Sequence, residues 1–185
     1  MITEERRQVL IQGAERELAR RHMSDFVLYV DRNYQMNWHH QLLCEYLDRL
    51  ARKEIRRLMV FMPPRHGKSE LVSRKFPAFL LGNKPDTSII FCSYAADLAS
   101  RMNRDAQRII DDERYHELFP GTRLSDKVTR KFVEGRYQRT NDIFEIVGHR
   151  GVYRSAGVGG GITGMGGEYI IIGDPVKNRE EADSA

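Results

Sequence analysis

The chain has 185 residues, with 30 Lys and Arg against 26 Asp and Glu and a formal net charge of +4 at pH 7. Charged residues make up 30% and hydrophobic ones 41%, which fits a globular chain with one real core and excludes a disordered polyelectrolyte. The mild positive balance is compatible with a polyanionic partner but identifies none. Cys44 and Cys92 stand far apart with no C-x-x-C, so neither a disulfide scaffold nor a zinc site is expected and a reducing compartment fits. The opening MITEERRQVL is charged and has no apolar h-region, so no signal peptide is expected. No apolar run approaches the roughly 18 residues of a membrane span.

Residues 4–21 are charged and helix-prone, with Val9, Leu10, Ala14 and Leu18 as a thin apolar stripe. Phe26, Val27, Tyr29 and Val30 follow as a short apolar patch. Asn37-Trp38-His39-His40-Gln41 then opens a helix pattern in which Leu42, Leu43, Tyr46, Leu47 and Leu50 share a face. Adjacent His39 and His40 do not face one metal from a helix. Trp38 reads as a core anchor or as an aromatic wall. Gln41 reads as an exposed helix residue or as an amide that both donates to and accepts from an adenine edge.

The stretch Leu58–Leu71 organises the chain. Leu58 to Met62 are five apolar residues and predict a fully buried strand. Pro63-Pro64-Arg65-His66-Gly67 predicts a tight turn, and Lys68-Ser69-Glu70 open a helix. Strand, loop and helix start are the parts of a P-loop. Unpaired N–H groups and the dipole at a helix start favour an anion there. Gly67 lets the backbone approach a phosphate, Lys68 reaches the β- and γ-phosphates, and Ser69 ligates Mg²⁺ in this reading. The first glycine of G-x-x-x-x-G-K-[ST] is replaced by Met62. An ordinary βα turn with a surface lysine is the plain alternative.

Pro77 predicts a break, kink or restart in the following helix. Ser88–Cys92 predicts a second buried strand, and about Ala95–Asp111 a long helix. Arg101, Arg104 and Arg108 lie along one side of that helix, as solvent-facing charges or as a DNA or subunit contact. Tyr115–Phe119 predicts a short helix stopped by Pro120-Gly121, and 129–156 a set of short strands forming a small β-extension. Gly159-x-Gly161-x-x-Gly164 spells a dinucleotide fingerprint, but it precedes a strand instead of following one, so that reading is rejected. The run Tyr169–Ile172 ends in Gly173-Asp174. A carboxylate at the end of such a strand reaches the Mg²⁺ water shell or orients water beside a P-loop.

Together these stretches resemble the large terminase subunit of tailed bacteriophages, the DNA-packaging motor ATPase. The resemblance is carried by Trp38-His39-His40-Gln41, by PPRHGKS at 63–69, by SYAADLASRMNRD at 93–105, by GVGGGITGMGGEY at 157–169 and by IIIGDPVKNREEADS at 170–184. It implies an α/β P-loop NTPase fold of the ASCE type, with a mostly parallel central sheet and helices on both faces. A helical segment over 1–35 would precede an ATPase domain over 36–185, expected to be incomplete at its C-terminus and to lack the family's nuclease domain. Strands 58–62, 88–92 and 169–173 are expected at the centre of the sheet.

The resemblance also implies site roles. Trp38 and Gln41 would hold the adenine. Pro64, Arg65, His66, Gly67, Lys68, Ser69 and Glu70 would form the phosphate loop. Lys68, Asp174, Arg65 and a trans-acting Arg154 would be catalytic, and Ser69 and Asp174 would hold Mg²⁺. ATP and Mg²⁺ are the implied substrate and cofactor. Double-stranded DNA, a portal protein, a small terminase subunit and further copies in a ring on the procapsid are the implied partners, in the host cytoplasm and with no membrane. The family ends this strand in two acidic residues, whereas here Gly173 precedes Asp174. A non-hydrolysing nucleotide-binding or assembly module is therefore the first alternative, followed by a helicase-like nucleic-acid ATPase. A P-loop small-molecule kinase ranks behind both, for want of a lid or acceptor pocket.

Overall fold

A computed structural model of the chain describes residues 3–126, 137–157 and 166–175. The chain begins with α1 (Glu4–Arg21), α2 (Met23–Val30) and α3 (Trp38–Ala51). In α1, Thr3 accepts the Arg6 N–H, and Glu4 and Glu5 in the first turn with Arg20 and Arg21 in the last complement the helix dipole. Its stripe is mostly unburied: Val9 and Leu10 are exposed and Ala19 alone is fully inside. The start of α2 is covered from α3, because Asp48 Oδ1 accepts the Met23 N–H at 2.8 Å. The inward face of α3 is His40, Leu43, Cys44, Leu47 and Asp48, while Leu42 and Tyr46 lie outside.

The loop of residues 63–69 leads into a π-helical turn, Glu70–Lys75, and then α4 (Phe76–Asn83). The Phe76 N–H reaches back to Leu71, and Pro77, which has no N–H to give, sits at the start of α4. The winding therefore changes where the proline falls. After α4 come β1 (Ser88–Ser93), α5 (Ala96–Ile110), α6 (Glu113–Leu118), β2 (Ile143–Glu145), β3 (Val152–Gly157) and β4 (Tyr169–Ile172).

These strands form a mixed sheet in the order β2-β3-β1-β4. β1 pairs parallel with both β3 and β4, and β2 pairs antiparallel with β3. Ile89 stands beside Tyr153 and Tyr169, and Phe91 beside Ile171, so these side chains share one face. They join Leu71, Phe76, Met102 and Ala106 in a single core that runs on to Phe26, Tyr115 and Phe119 under α1 and α2. The other face of β4 shows Ile170 and Ile172, each 63% exposed.

The structure corrects four expectations. Residues 58–62 form no regular element and pair with no strand among the described residues. They keep the alternation of a strand, with Met59 and Phe61 outward at 78% and 85% exposure and Leu58, Val60 and Met62 packed on the core. An apolar run alone does not distinguish a doubly buried strand from a half-buried one. Second, 169–172 is an edge strand among the described residues, not a central one. An open groove of about 770 Å³ separates its free edge from the segment around Leu58. Third, the described helices that pack on the sheet join one core, on one face only. Fourth, β3 lies inside the sheet, so of the predicted β-extension only β2 is peripheral, and its residues 127–136 lie outside the described residues.

Gly82 in α4 gives a test of this packing. Alanine for glycine in a helix normally stabilises by about 1 kcal/mol. Here an added Cβ overlaps the buried Phe119 ring. Gly82→Ala is expected to destabilise by about 1–3 kcal/mol in chemical denaturation, a reversal of the propensity sign.

Candidate phosphate-loop site

The loop of residues 63–69 turns on two residues with positive φ, Arg65 at 62° and Gly67 at 85°. Residues of alternating backbone hand can turn successive N–H groups to one side, the arrangement from which an anion-binding concavity is made. His66 closes the turn: its Nδ1 lies 2.8 Å from the Pro64 carbonyl and must carry the proton to donate there. The Leu71 N–H bonds the Gly67 carbonyl at 3.0 Å, so helical winding starts directly behind the loop.

Lys68 Nζ lies 3.0 Å from Asp174 Oδ1. The sheet produces this meeting. β1 and β4 run parallel, the Gly173 N–H bonds Cys92 O at 2.8 Å, and the Tyr94 N–H bonds Asp174 O at 3.1 Å. Asp174 thus leaves β4 at the carboxyl end of the parallel strands, in a left-handed turn with φ 47°. Gly173 packs tightly there, because a Cβ on it would stand 3.0 Å from the Phe91 ring.

Behind the loop, Glu70 receives hydrogen bonds from Arg74 Nη1 and Lys75 Nζ, both at 2.5 Å. Lys75 is almost fully buried, also reaches Asp31 at 3.2 Å, and sits over the Tyr34 ring at 4.8 Å. Arg74 continues to Asp105 on α5 at 3.0 Å. Burial alone would raise the Glu70 carboxyl, but Lys75 and Arg74 outweigh it and hold the group below the usual carboxylate value. Burial pushes the Tyr34 phenol up to about 12, so it stays a neutral hydroxyl. Burial, reinforced by His40 and His66, lowers His39.

A cleft of about 300 Å³ opens over this loop, and Arg65, His66, Gly67 and Glu70 line it. Tyr34, Gln35, Asn37, His39 and His40 form its other wall. Trp38 is 75% exposed and meets the His39 ring edge-on, with centroids 5.6 Å apart. Gln41 is exposed on the first turn of α3. Neither lines the cleft, while Gln35 supplies an amide that does. Pro64 and Arg65 are exposed, and Ser69 is half-buried beside Lys68. Arg154 lies within β3 opposite Ile90, and no contact joins it to Lys68 or Asp174. Among the described residues, no group of three or more His, Cys, Asp or Glu is arranged to hold a metal. Sequence reading missed Tyr34 and Gln35 and gave His39 and His40, which it quoted in the motif, no place in the cleft, because their roles depend on the turn before α3 and carry no periodic signal.

The family model described as terminase large subunit, T4likevirus-type, N-terminal, matches residues 59–185. Searches among curated proteins and among solved structures find no match.

The Glu70 network should be readable by pH. A carboxyl lowered in the fold contributes stability that is complete above its unfolded value of about 4.5 and lost as pH falls through the lower folded value. Glu70→Gln should therefore destabilise by about 1–3 kcal/mol at neutral pH, and the gap to wild type should close on acidification below pH 4. Denaturation curves at several pH values check this.

Proposed function

Because the chain belongs to this family of terminase large subunits, we propose that residues 36–185 form part of a P-loop ATPase domain that hydrolyses ATP to drive double-stranded DNA into a procapsid. The observation that carries the reading is the 3.0 Å approach of Lys68 to Asp174. A loop cation and a strand-end carboxylate, distant in sequence, meet where phosphates and their metal would need both.

Lys68 would leave Asp174 for the β- and γ-phosphates, and the N–H groups of residues 65–68 would hold the phosphate oxygens. Arg65, exposed at the loop's crest, would add a bidentate guanidinium contact. Ser69 and Asp174 would hold Mg²⁺. One hydroxyl and one carboxylate suit this ion, which keeps several waters and takes its remaining ligands from phosphates. Bound there, it would neutralise charge on the transferring phosphoryl group. Asp174 would also orient the attacking water through hydrogen bonding. Arg154 is kept as the arginine offered to a neighbouring copy, and Trp38 and Gln41 as contacts to the adenine. The whole motor would comprise a ring of these subunits on a procapsid, with a portal protein and a small terminase subunit, in the host cytoplasm. No described helix is long and apolar enough to cross a membrane.

A second reading, nucleotide binding without turnover, is favoured by Gly173. The position before Asp174 holds no carboxylate, and Phe91 crowds the space where one would begin.

MgATP titration and phosphate release separate these readings. Lys68→Ala should weaken MgATP binding at least about tenfold, as loss of a charge-assisted contact predicts. Asp174→Asn should bind within about threefold of wild type and lose most turnover. Wild-type binding by Lys68→Ala overturns the phosphate-loop reading, and binding without turnover in the wild type selects the second one. Gly173→Asp should cost about 1–3 kcal/mol in chemical denaturation, because the Phe91 ring is core.

A further inference from the structure

His40 is buried, and its two ring nitrogens meet two different backbone groups. The Asn37 N–H lies 3.2 Å from Nδ1, and the His66 carbonyl lies 3.1 Å from Nε2. A backbone N–H only donates and a carbonyl only accepts, so both contacts are satisfied by one tautomer. Nδ1 carries the lone pair and Nε2 carries the proton. The ring thereby ties the first turn of α3 to the loop of residues 63–69.

The contact fixes more than a distance. No cis peptide occurs among the described residues, so the His66 carbonyl and the Gly67 N–H point to opposite sides of one rigid plane. Holding the carbonyl against His40 turns the Gly67 N–H the other way, away from the His40 ring, and positive-φ turns such as those at Arg65 and Gly67 are the kind that gather N–H groups around an anion. Gly67 rests directly on this support. A Cβ there would stand 2.6 Å from His40 Nε2 and 2.9 Å from the Tyr34 hydroxyl. Tyr34 packs on His40 with ring centroids 5.3 Å apart and on Lys75 behind it, so the support is anchored on the side away from the loop.

We propose that His40 is a positioning residue for phosphate binding, holding the His66–Gly67 peptide so that its N–H faces the anion. This rests on the reading of the loop as an ATP site. A histidine that only capped α3 would need Nδ1 alone, whereas this role needs the proton on Nε2.

Two substitutions separate those possibilities. His40→Gln places an amide nitrogen near the Nε2 position and keeps the donor to His66. His40→Asn places an acceptor near Nδ1, keeps the Asn37 contact and loses the donor. Each variant and a Lys68→Ala control would be titrated with MgATP and with adenosine, which has no phosphate. The Gly67 amide resonance would be followed in the same samples before ligand is added. His40→Asn should weaken MgATP binding about tenfold, leave adenosine binding unchanged and move the Gly67 resonance. His40→Gln should restore MgATP binding to within about threefold. Lys68→Ala should lose MgATP and leave the Gly67 resonance in place. The proposal is overturned if His40→Asn binds MgATP as wild type does, or if it loses MgATP and adenosine alike. It is also overturned if His40→Gln proves the worse variant, which is the pattern of a helix cap. A wild type that binds no MgATP ends the ATP reading and this proposal with it, while a Gly67 resonance moved by His40→Asn would leave the peptide contact itself standing.

Discussion

An ammonium on a loop that leads into a helix start adds positive charge where the helix dipole already gathers it. Asp174 balances it at 3.0 Å, and much of the site's construction follows from that requirement. The pair is not deeply buried, with side-chain exposures of 32% and 50%. Such pairs are worth about 0–1 kcal/mol, so exchanging Asp174 for a phosphate costs little. A deeply buried Lys–Asp pair would hold the loop just as well but would resist the exchange, because stranding either charge costs several kcal/mol. The weakness of the contact suits the proposed phosphate site, which would open to a more highly charged ligand.

The strong electrostatics lie one layer behind. Lys75 is nearly inaccessible and is satisfied by Glu70, Asp31 and the Tyr34 ring. Arg74 joins Glu70 to Asp105 and so ties the turn after the loop to α5. Rigid, paired charges thus surround a loop whose own lysine is only loosely engaged. Tyr34 belongs to both layers, stacking on Lys75 behind and on His40 in front. The strain of the positive φ at Arg65 is held by the His66 contact to the Pro64 carbonyl across it, which a bound ligand does not have to break.

What was legible in the sequence depended on how local the cause was. The turn at Pro63–Ser69 was legible because proline, glycine and a helix start act within a few residues. Strand β1 was legible because both of its faces are buried, and a continuous apolar run reports that directly. Segment 58–62 carries a similar run and was misread, since which of its faces is covered depends on a neighbour that sequence does not specify. The placement of 169–172 at the sheet edge is equally non-local. The α3 face was read half correctly: Leu43 and Leu47 are inside, but Leu42 and Tyr46 are outside, because the helix is oriented by His40 and Asp48, two polar residues that an apolar count ignores. The same omission hid the cleft wall formed by Tyr34, Gln35, His39 and His40.

Gly173 shows how a missing side chain can be a packing result as well as a chemical one. The Gly173 N–H is committed to Cys92 O, which fixes the backbone against β1. Phe91 in β1 is a core residue, and a Cβ at 173 would stand 3.0 Å from its ring edge, tighter than ordinary contact. Placing a second carboxylate here requires the ring to move, and the ring is bounded by the same core as Leu71 and Phe76. The single acid and the phenylalanine therefore form a compatible pair, and exchanging one without the other sets the site against the core. If two acids are needed for water activation, a smaller side chain at 91 is the change that would relieve the contact made by an acid at 173.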